Sequence, residues 1–274
     1  MNIWESLLYG LISGLTEFLP VSSRGHQAVL KELFGVTYAE PLRDIMVRIS
    51  VLLAIIICCG TYIEKLRRDQ KTGRRSRRTR FVDSSTVYDL QIIKTAGYSM
   101  LPVMLLAAFT GSFADSLALV ALFFVINGLA LYIPEHLPHS NKDASKMSAL
   151  DGLLIGISSA LSILPGVSRV GCGLSCSIAR GADKQKALNW VLILSIPATV
   201  LWLLSDFISI FTVGVGYLTF QIFLGYLLSA IVAFAAACCG IYIMRFITLR
   251  SDFSFFGYYC WGMALLSFIL YLTA

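Results

Sequence analysis

The sequence predicts an all-α integral membrane protein: six full transmembrane helices plus two re-entrant broken-helix segments, arranged as an inverted-topology repeat in a single membrane domain over residues 1–274. Three observations carry that expectation. The chain is 57% hydrophobic and only 14% charged, against about 25% charged in soluble domains, and its mean hydropathy of +0.76 leaves too little polar surface to cover a soluble fold. Six apolar stretches reach the roughly 20 residues that a helix needs to cross the hydrocarbon core. Two further apolar stretches are interrupted by similar clusters of Pro, Gly, Ser and Arg. This composition excludes a disordered chain, a collagen, a nucleic-acid-binding domain and an ordinary cytosolic enzyme.

In chain order, the first interrupted stretch covers residues 3–29 and breaks at Leu19-Pro20-Val21-Ser22-Ser23-Arg24-Gly25-His26. It opens Met-Asn-Ile-Trp-Glu, without a basic start or a small-residue cleavage site, so it reads as mature protein rather than a signal peptide. Full spans are expected at 45–63, 92–113 and 117–133. The second interrupted stretch covers 150–178 and breaks at Leu164-Pro165-Gly166-Val167-Ser168-Arg169-Val170-Gly171. Spans at 188–207, 220–243 and 255–272 follow. Unwound backbone is tolerated at membrane depth only where protein or a wet cavity satisfies it. The breaks therefore predict re-entrant pairs of half-helices, with a kinked spanning helix as the alternative. Ile12-Ser13-Gly14-Leu15-Thr16-Glu17-Phe18-Leu19-Pro20 aligns with Ile157-Ser158-Ser159-Ala160-Leu161-Ser162-Ile163-Leu164-Pro165, sharing Ile, Ser, Leu and Pro. Repeat 1 then runs about 1–135 and repeat 2 about 148–274. One broken segment and three crossings per copy give the copies opposite orientations, as in many transporters.

Charge placement sets the expected topology. Nine of the 22 Lys and Arg fall between residues 65 and 80, which marks 64–91 as a basic cytoplasmic loop. Lys142, Lys146, Arg180, Lys184, Lys186, Arg245 and Arg250 fall on the same side, and the opposite loops near 111–115 and 209–219 hold no Lys or Arg. The first break then opens to the outer face. Arg24, Lys31, Arg43 and Arg48 lie on that outer side against the trend, so they have work other than topology. The basic run lacks interleaved aromatics, which weighs against nucleic acid. Seven cysteines lie without His or a second Cys pair at ligand spacing, so no zinc site is expected.

Ionisable groups inside membrane segments are costly and point to function. The first break offers Glu17, Ser22, Ser23, Arg24 and His26, and the second Gly166, Ser168 and Arg169. Glu17 can hold a divalent cation or steer a base. His26 can exchange a proton near neutrality, and Ser23, three residues earlier, can meet it on one helical turn as an activated nucleophile. Arg169 offers a planar fork for phosphate oxygens, and glycine at 166 lets backbone approach an anion. Asp44 and Arg48 are placed to pair one turn apart. The structural alternatives are Ser22, Ser23 and Ser168 as helix caps, Arg24 snorkelling to headgroups, and Glu17 with Arg169 as an ion pair locking the repeats. His136 and His139 read as surface residues.

At these residues the chain resembles the bacitracin-resistance type of undecaprenyl-diphosphate phosphatases. Gly14-Leu15-Thr16-Glu17-Phe18-Leu19-Pro20-Val21-Ser22-Ser23-Arg24-Gly25-His26 is similar to that family's first signature, and Pro165-Gly166-Val167-Ser168-Arg169 to its second. The resemblance implies a hydrolase that removes one phosphate from undecaprenyl diphosphate. It would recycle the lipid carrier of wall-polymer synthesis in the bacterial cytoplasmic (inner) membrane, from a site open to the outer side. It implies dependence on a divalent cation, calcium or magnesium, with Glu17 as the metal ligand. Position by position it gives Glu17 as an acidic residue of the first motif, Ser23 as the nucleophile, His26 as the catalytic His, Ser168 and Arg169 as the pair that grips the diphosphate, and Asp44 as the acidic residue before the first full span. With the residues' own chemistry, Glu17, Ser23, His26 and Arg169 are expected to act in catalysis, and Ser22, Arg24, Arg48, Gly166 and Ser168 in substrate binding. His26 as nucleophile in place of Ser23 stays open. The family's first motif begins with Glu or Gln four residues before Glu17, where this chain has Ser13. Arg24 replaces Thr, Arg48 replaces Gln, Val170 replaces Ser and Gly173 replaces Thr. Two hydroxyl donors are gone and two cations have appeared, so either Arg24 or Arg48 clamps phosphate without metal, or the site binds a phosphorylated lipid without cleaving it. The alternative function is transport of polyprenyl phosphate or another anionic lipid. The expected partners are a polyprenyl diphosphate, its tail lying between spans beside Trp190, Phe220 and Phe223, the bilayer, and a second copy in a homodimer.

Overall fold

The computed structural model describes residues 3–36, 40–75, 84–106, 111–136, 146–215, 218–250 and 253–273. Among the described residues every regular element is helical. The helices are α1 (Ile3–Phe18), α2 (Ser23–Leu33), α3 (Pro41–Cys58), α4 (Gly60–Arg75), α5 (Ser84–Leu105), α6 (Leu117–Glu135), α7 (Ala149–Ala160), α8 (Arg169–Ala179), α9 (Lys184–Val213), α10 (Phe220–Arg250) and α11 (Ser254–Thr273). Four of them, α6, α9, α10 and α11, are each long and apolar enough to cross a membrane. The chain is a multi-pass membrane protein.

The expected spans at 45–63 and 92–113 take a different form. The first is broken: α3 ends at Cys58, and α4 leaves it at a bend of 63°. The two pass as one crossing only when taken together. The second corresponds to α5, which runs from Ser84 to Leu105. Asp89, Gln91 and Lys94 dilute its apolar run, and it is not among the helices apolar enough to span by themselves. The basic segment 64–91 is not a plain loop either. α4 carries helix through Lys65, Arg67 and Arg68, with Arg68 pairing to Glu64 one turn earlier. Residues 76–83 and His139 lie outside the described residues.

The four half-helices of the two breaks are short. α1 has 16 residues, α2 11, α7 12 and α8 11. At about 1.5 Å per residue none reaches the roughly 30 Å of a hydrocarbon core. Each first half is held by a long helix from the other part of the chain: α1 packs along α10, and α7 along α5. Small residues one turn apart make both contacts. A Cβ on Gly14 would lie 2.3 Å from the Ala233 carbonyl oxygen of α10, and one on Gly156 would lie 2.0 Å from the Ala96 oxygen of α5. Such close approach of backbones is how helices associate where lipid removes the hydrophobic drive. α6 packs on α11, and α3 on α9 and α10. Trp190 is enclosed in the core, whereas Phe220 and Phe223 face outward from α10. These three residues therefore do not line one groove for a lipid tail.

Candidate active site

The two breaks meet and satisfy each other's backbone. Helix α1 stops at Phe18 ahead of Pro20, and Ser22 caps α2 from the left-handed region, with φ of 68°. A non-glycine residue there is strained and persists only where its surroundings hold it. The holding bonds are visible: Ser22 Oγ accepts the Gly25 N–H at 3.3 Å and, from the other break, the Gly166 N–H at 3.0 Å. Ser168 caps α8 by accepting the Gly171 N–H at 3.1 Å, and its hydroxyl donates to the Leu19 carbonyl at 3.3 Å. Asn127 of α6 closes the arrangement. Its Oδ1 accepts the Ser168 N–H at 2.8 Å and its Nδ2 donates to the Pro20 carbonyl at 3.0 Å. Each break thus caps its own second helix and reaches into the other, so unwound backbone groups of both are paired within the protein. Gly166 has φ of 115°, and a Cβ there would meet Phe123 Cβ and the Val120 oxygen at 2.8 Å.

Between the breaks lies a narrow recess lined by Thr16, Glu17, Ser22, Ser23, Arg24, Arg48, Ser162, Val167, Ser168, Arg169 and Trp202. Arg169 pairs with Glu17 across the two breaks. Arg48 pairs with Asp206 of α9. Arg24 donates from Nη1 to the Ile163 carbonyl at 2.6 Å, and its guanidinium carbon sits 4.1 Å from the Trp202 ring centroid. Two polar atoms of lining residues, Arg169 Nε and Ser162 Oγ, are buried with no hydrogen-bond partner. Buried polar groups are nearly always paired, so these two stand out among the lining residues. The recess shares Arg24, Arg48 and Trp202 with a larger vestibule that also involves Lys31, Glu32, Asp44, Asp115 and Asp206.

Seven of the expected site residues line this recess: Glu17, Ser22, Ser23, Arg24, Arg48, Ser168 and Arg169. The cations that ran against the charge trend also have their work here. Arg24, Lys31 and Arg48 line the vestibule, and Arg43 is buried against Glu40, Asp44 and the Tyr9 ring. Three expectations are corrected. Gly166 gives its N–H to Ser22 and is absent from the lining. Asp44 bonds Tyr9 and Arg43 rather than Arg48, which is held by Asp206.

His26 is the third and most consequential correction. It does not meet Ser23, and its ring faces α6 and α11, edge-on to Phe124 and parallel to Tyr259. Its Nδ1 lies 2.7 Å from the Ser22 carbonyl and its Nε2 2.7 Å from the Tyr259 hydroxyl. A carbonyl only accepts, so Nδ1 carries a proton and donates to it. Ser23 instead donates to the Ser13 carbonyl at 3.3 Å and accepts from Gln27 at 3.4 Å. Asn127, Ser162, Trp202 and Tyr259 were not singled out from sequence. A fully buried Asn in an apolar span was the one readable signal among them.

The family described as bacitracin resistance protein BacA has a sequence model that matches residues 6–266. The chain belongs to that family. Similar proteins include one from Halothermothrix orenii, 26% identical over 271 residues, covering 98% of this chain and 98% of that protein. One from Methanococcus vannielii is 28% identical, covering 98% of this chain and all of that protein (100%). One from Carboxydothermus hydrogenoformans is 28% identical, covering 98% of each. All three are named undecaprenyl-diphosphatase.

The donor set around the recess does not fit a divalent cation. Calcium and magnesium take several hard oxygen ligands, carboxylates foremost. Glu17 is engaged by Arg169, and Ser13 stands one turn before it. No three His, Cys, Asp or Glu converge on a metal position among the described residues.

Proposed function

We propose that this BacA family member hydrolyses undecaprenyl diphosphate to undecaprenyl phosphate and inorganic phosphate, the chemistry for which its relatives are named. The observation that carries the reading is the cross-capped pair of breaks, with three arginines lining one recess between them. Planar guanidinium forks match phosphate oxygens and hold them bidentately. Substrate phosphate competes with Glu17 for Arg169, and Arg169 Nε and Ser162 Oγ donate to its oxygens. Ser23 Oγ attacks the terminal phosphorus, forming an O–P bond as the anhydride P–O bond breaks. The electron pair of that bond leaves with the lipid monophosphate. Glu17, the carboxylate of the lining and now released by Arg169, takes the Ser23 proton. Water then cleaves the phosphoserine, regenerating Ser23 and freeing phosphate. His26 acts here as a positioning residue, pinning the Ser22 carbonyl at the turn that presents Ser23.

The same proposal includes the finer topology: two re-entrant segments and six crossings in an inverted repeat, with the site facing the outer side of the cytoplasmic membrane. The exchanged pairing of α1 with α10 and of α7 with α5 supports the repeat. The position of the vestibule residue Asp44 at the start of α3, with the basic α4 beyond its far end, supports the orientation.

The test is to give purified protein undecaprenyl diphosphate and measure inorganic phosphate together with the lipid monophosphate. Equal molar release of the two supports hydrolysis. Intact diphosphate under every condition, with the lipid moved across a vesicle bilayer, would replace hydrolysis by transport.

A further inference from the structure

We infer that Arg24 and Arg48, gathered on Trp202 at the mouth of the recess, supply the positive charge for which a divalent cation would otherwise be needed, so that the site grips a diphosphate without metal. The inference rests on the phosphohydrolase reading above and adds how that site neutralises its substrate.

The argument starts from charge. Arg24, Arg48 and Arg169 line the recess, and Glu17 is the carboxylate among the lining residues. A divalent cation entering there meets three guanidinium groups, of which Arg48 is paired with Asp206 and Arg169 with Glu17 while Arg24 is bonded to a neutral carbonyl. A diphosphate is attracted by the same groups. Coulomb attraction grows as water is excluded, so guanidinium groups at the neck of a narrow recess act more strongly than they would at a surface.

Geometry supports the same conclusion. The guanidinium carbons of Arg24 and Arg48 lie 4.1 Å and 5.4 Å from the Trp202 ring centroid. Two cations repel each other, and the negative face of an indole is the environment that tolerates them together. Each also has a bond that fixes its plane. Arg24 donates to the Ile163 carbonyl beside the second break, and Arg48 to Asp206. A guanidinium has five N–H donors, so these bonds leave each group capacity to turn toward phosphate oxygens. Both residues line the recess and the vestibule alike, so an incoming diphosphate passes between them. On the donor side, the position one turn before Glu17 holds the neutral Ser13 hydroxyl, which accepts from Gln27 Nε2 at 3.1 Å and brings no second carboxylate.

The experiment has two arms, both on the full-length protein. In the first, inorganic pyrophosphate is titrated calorimetrically into protein held in excess chelator, then repeated with calcium or magnesium. In the second, phosphate release from undecaprenyl diphosphate is measured under the same conditions. Binding and release that persist in chelator to within about twofold of the cation-supplemented values support the inference. Arg24→Thr and Arg48→Gln should each weaken chelator-resistant pyrophosphate binding by about tenfold or more, the scale of one charge-assisted contact. Arg24→Lys, which keeps charge but loses the planar stack, should weaken it less. Pyrophosphate binding that appears only with added cation overturns the inference, whatever the variants do, as does wild-type binding by both Arg24→Thr and Arg48→Gln in chelator. Binding in chelator without any phosphate release would leave the guanidinium clamp standing and remove the hydrolase reading on which it was built.

Discussion

Replacing Asn127 by Ala removes the side chain that ties α6 to both breaks. Two buried backbone groups then lose Asn127 as a partner: the Ser168 N–H, bonded at 2.8 Å, and the Pro20 carbonyl, bonded at 3.0 Å and left with the weak Cys260 thiol donor at 4.0 Å. Asn127 is itself fully buried, so bulk water does not reach these groups to compensate. Each buried polar group left unpaired costs about 1–3 kcal/mol, which puts the variant about 2–6 kcal/mol below the wild type. The loss falls on the segments that carry Ser22 and Arg169, so turnover should fall with stability rather than independently of it. The assay is thermal unfolding of purified protein in detergent, followed by intrinsic fluorescence, with phosphate release measured on the same samples. His136→Ala serves as the control, since His136 is exposed at the end of α6 and leaves the breaks untouched. At roughly 2–4 °C per kcal/mol for a chain of this size, the midpoint should drop by several degrees or more. An Asn127→Ala midpoint within about 1 °C of the control would refute the claim that this residue secures the breaks.

Two other perturbations probe the same region. His26→Asn keeps an N–H donor near the Ser22 carbonyl, so it should retain turnover within about tenfold of wild type and the same profile from about pH 5 to 8, whereas His26→Ala should lose more. A drop of about a thousandfold in His26→Asn, the scale of a lost general base, would restore the imidazole to the chemistry. Gly166→Ala forces a Cβ onto a positive φ and to 2.8 Å from Phe123 Cβ, and should lower stability by about 1–3 kcal/mol or more in the same unfolding assay.

Much of the site could be read from the chain because breakers are conspicuous in an apolar background. Pro20, Ser22, Gly25, Gly166 and Arg169 cluster within stretches that are otherwise mostly apolar, and both breaks fall where the sequence placed them. The Glu17–Arg169 ion pair was among the structural alternatives for the same reason: two charges in lipid need each other. Direction around a helix was not legible. Spacing puts Ser23 and His26 on neighbouring faces of α2, but Tyr259, 233 residues away, decides which way the imidazole points. Asn127 and Ser162 are single polar residues without a local pattern. Their roles exist only once α6 and the second break lie beside the first. The bend after Cys58 was hidden because Gly60, which opens α4, is a single glycine in an apolar run, a residue a helix tolerates, with no proline beside it to mark the turn.

The most direct measurement is phosphate release from undecaprenyl diphosphate by Arg169→Ala beside wild type, with both proteins shown by thermal unfolding to be folded. Loss of the guanidinium that reaches Glu17 across the two breaks should slow release by about a hundredfold or more, the scale of one preorganised charge-stabilising group. Release by a folded Arg169→Ala at the wild-type rate would mean that the recess between the breaks is not where the diphosphate is cleaved.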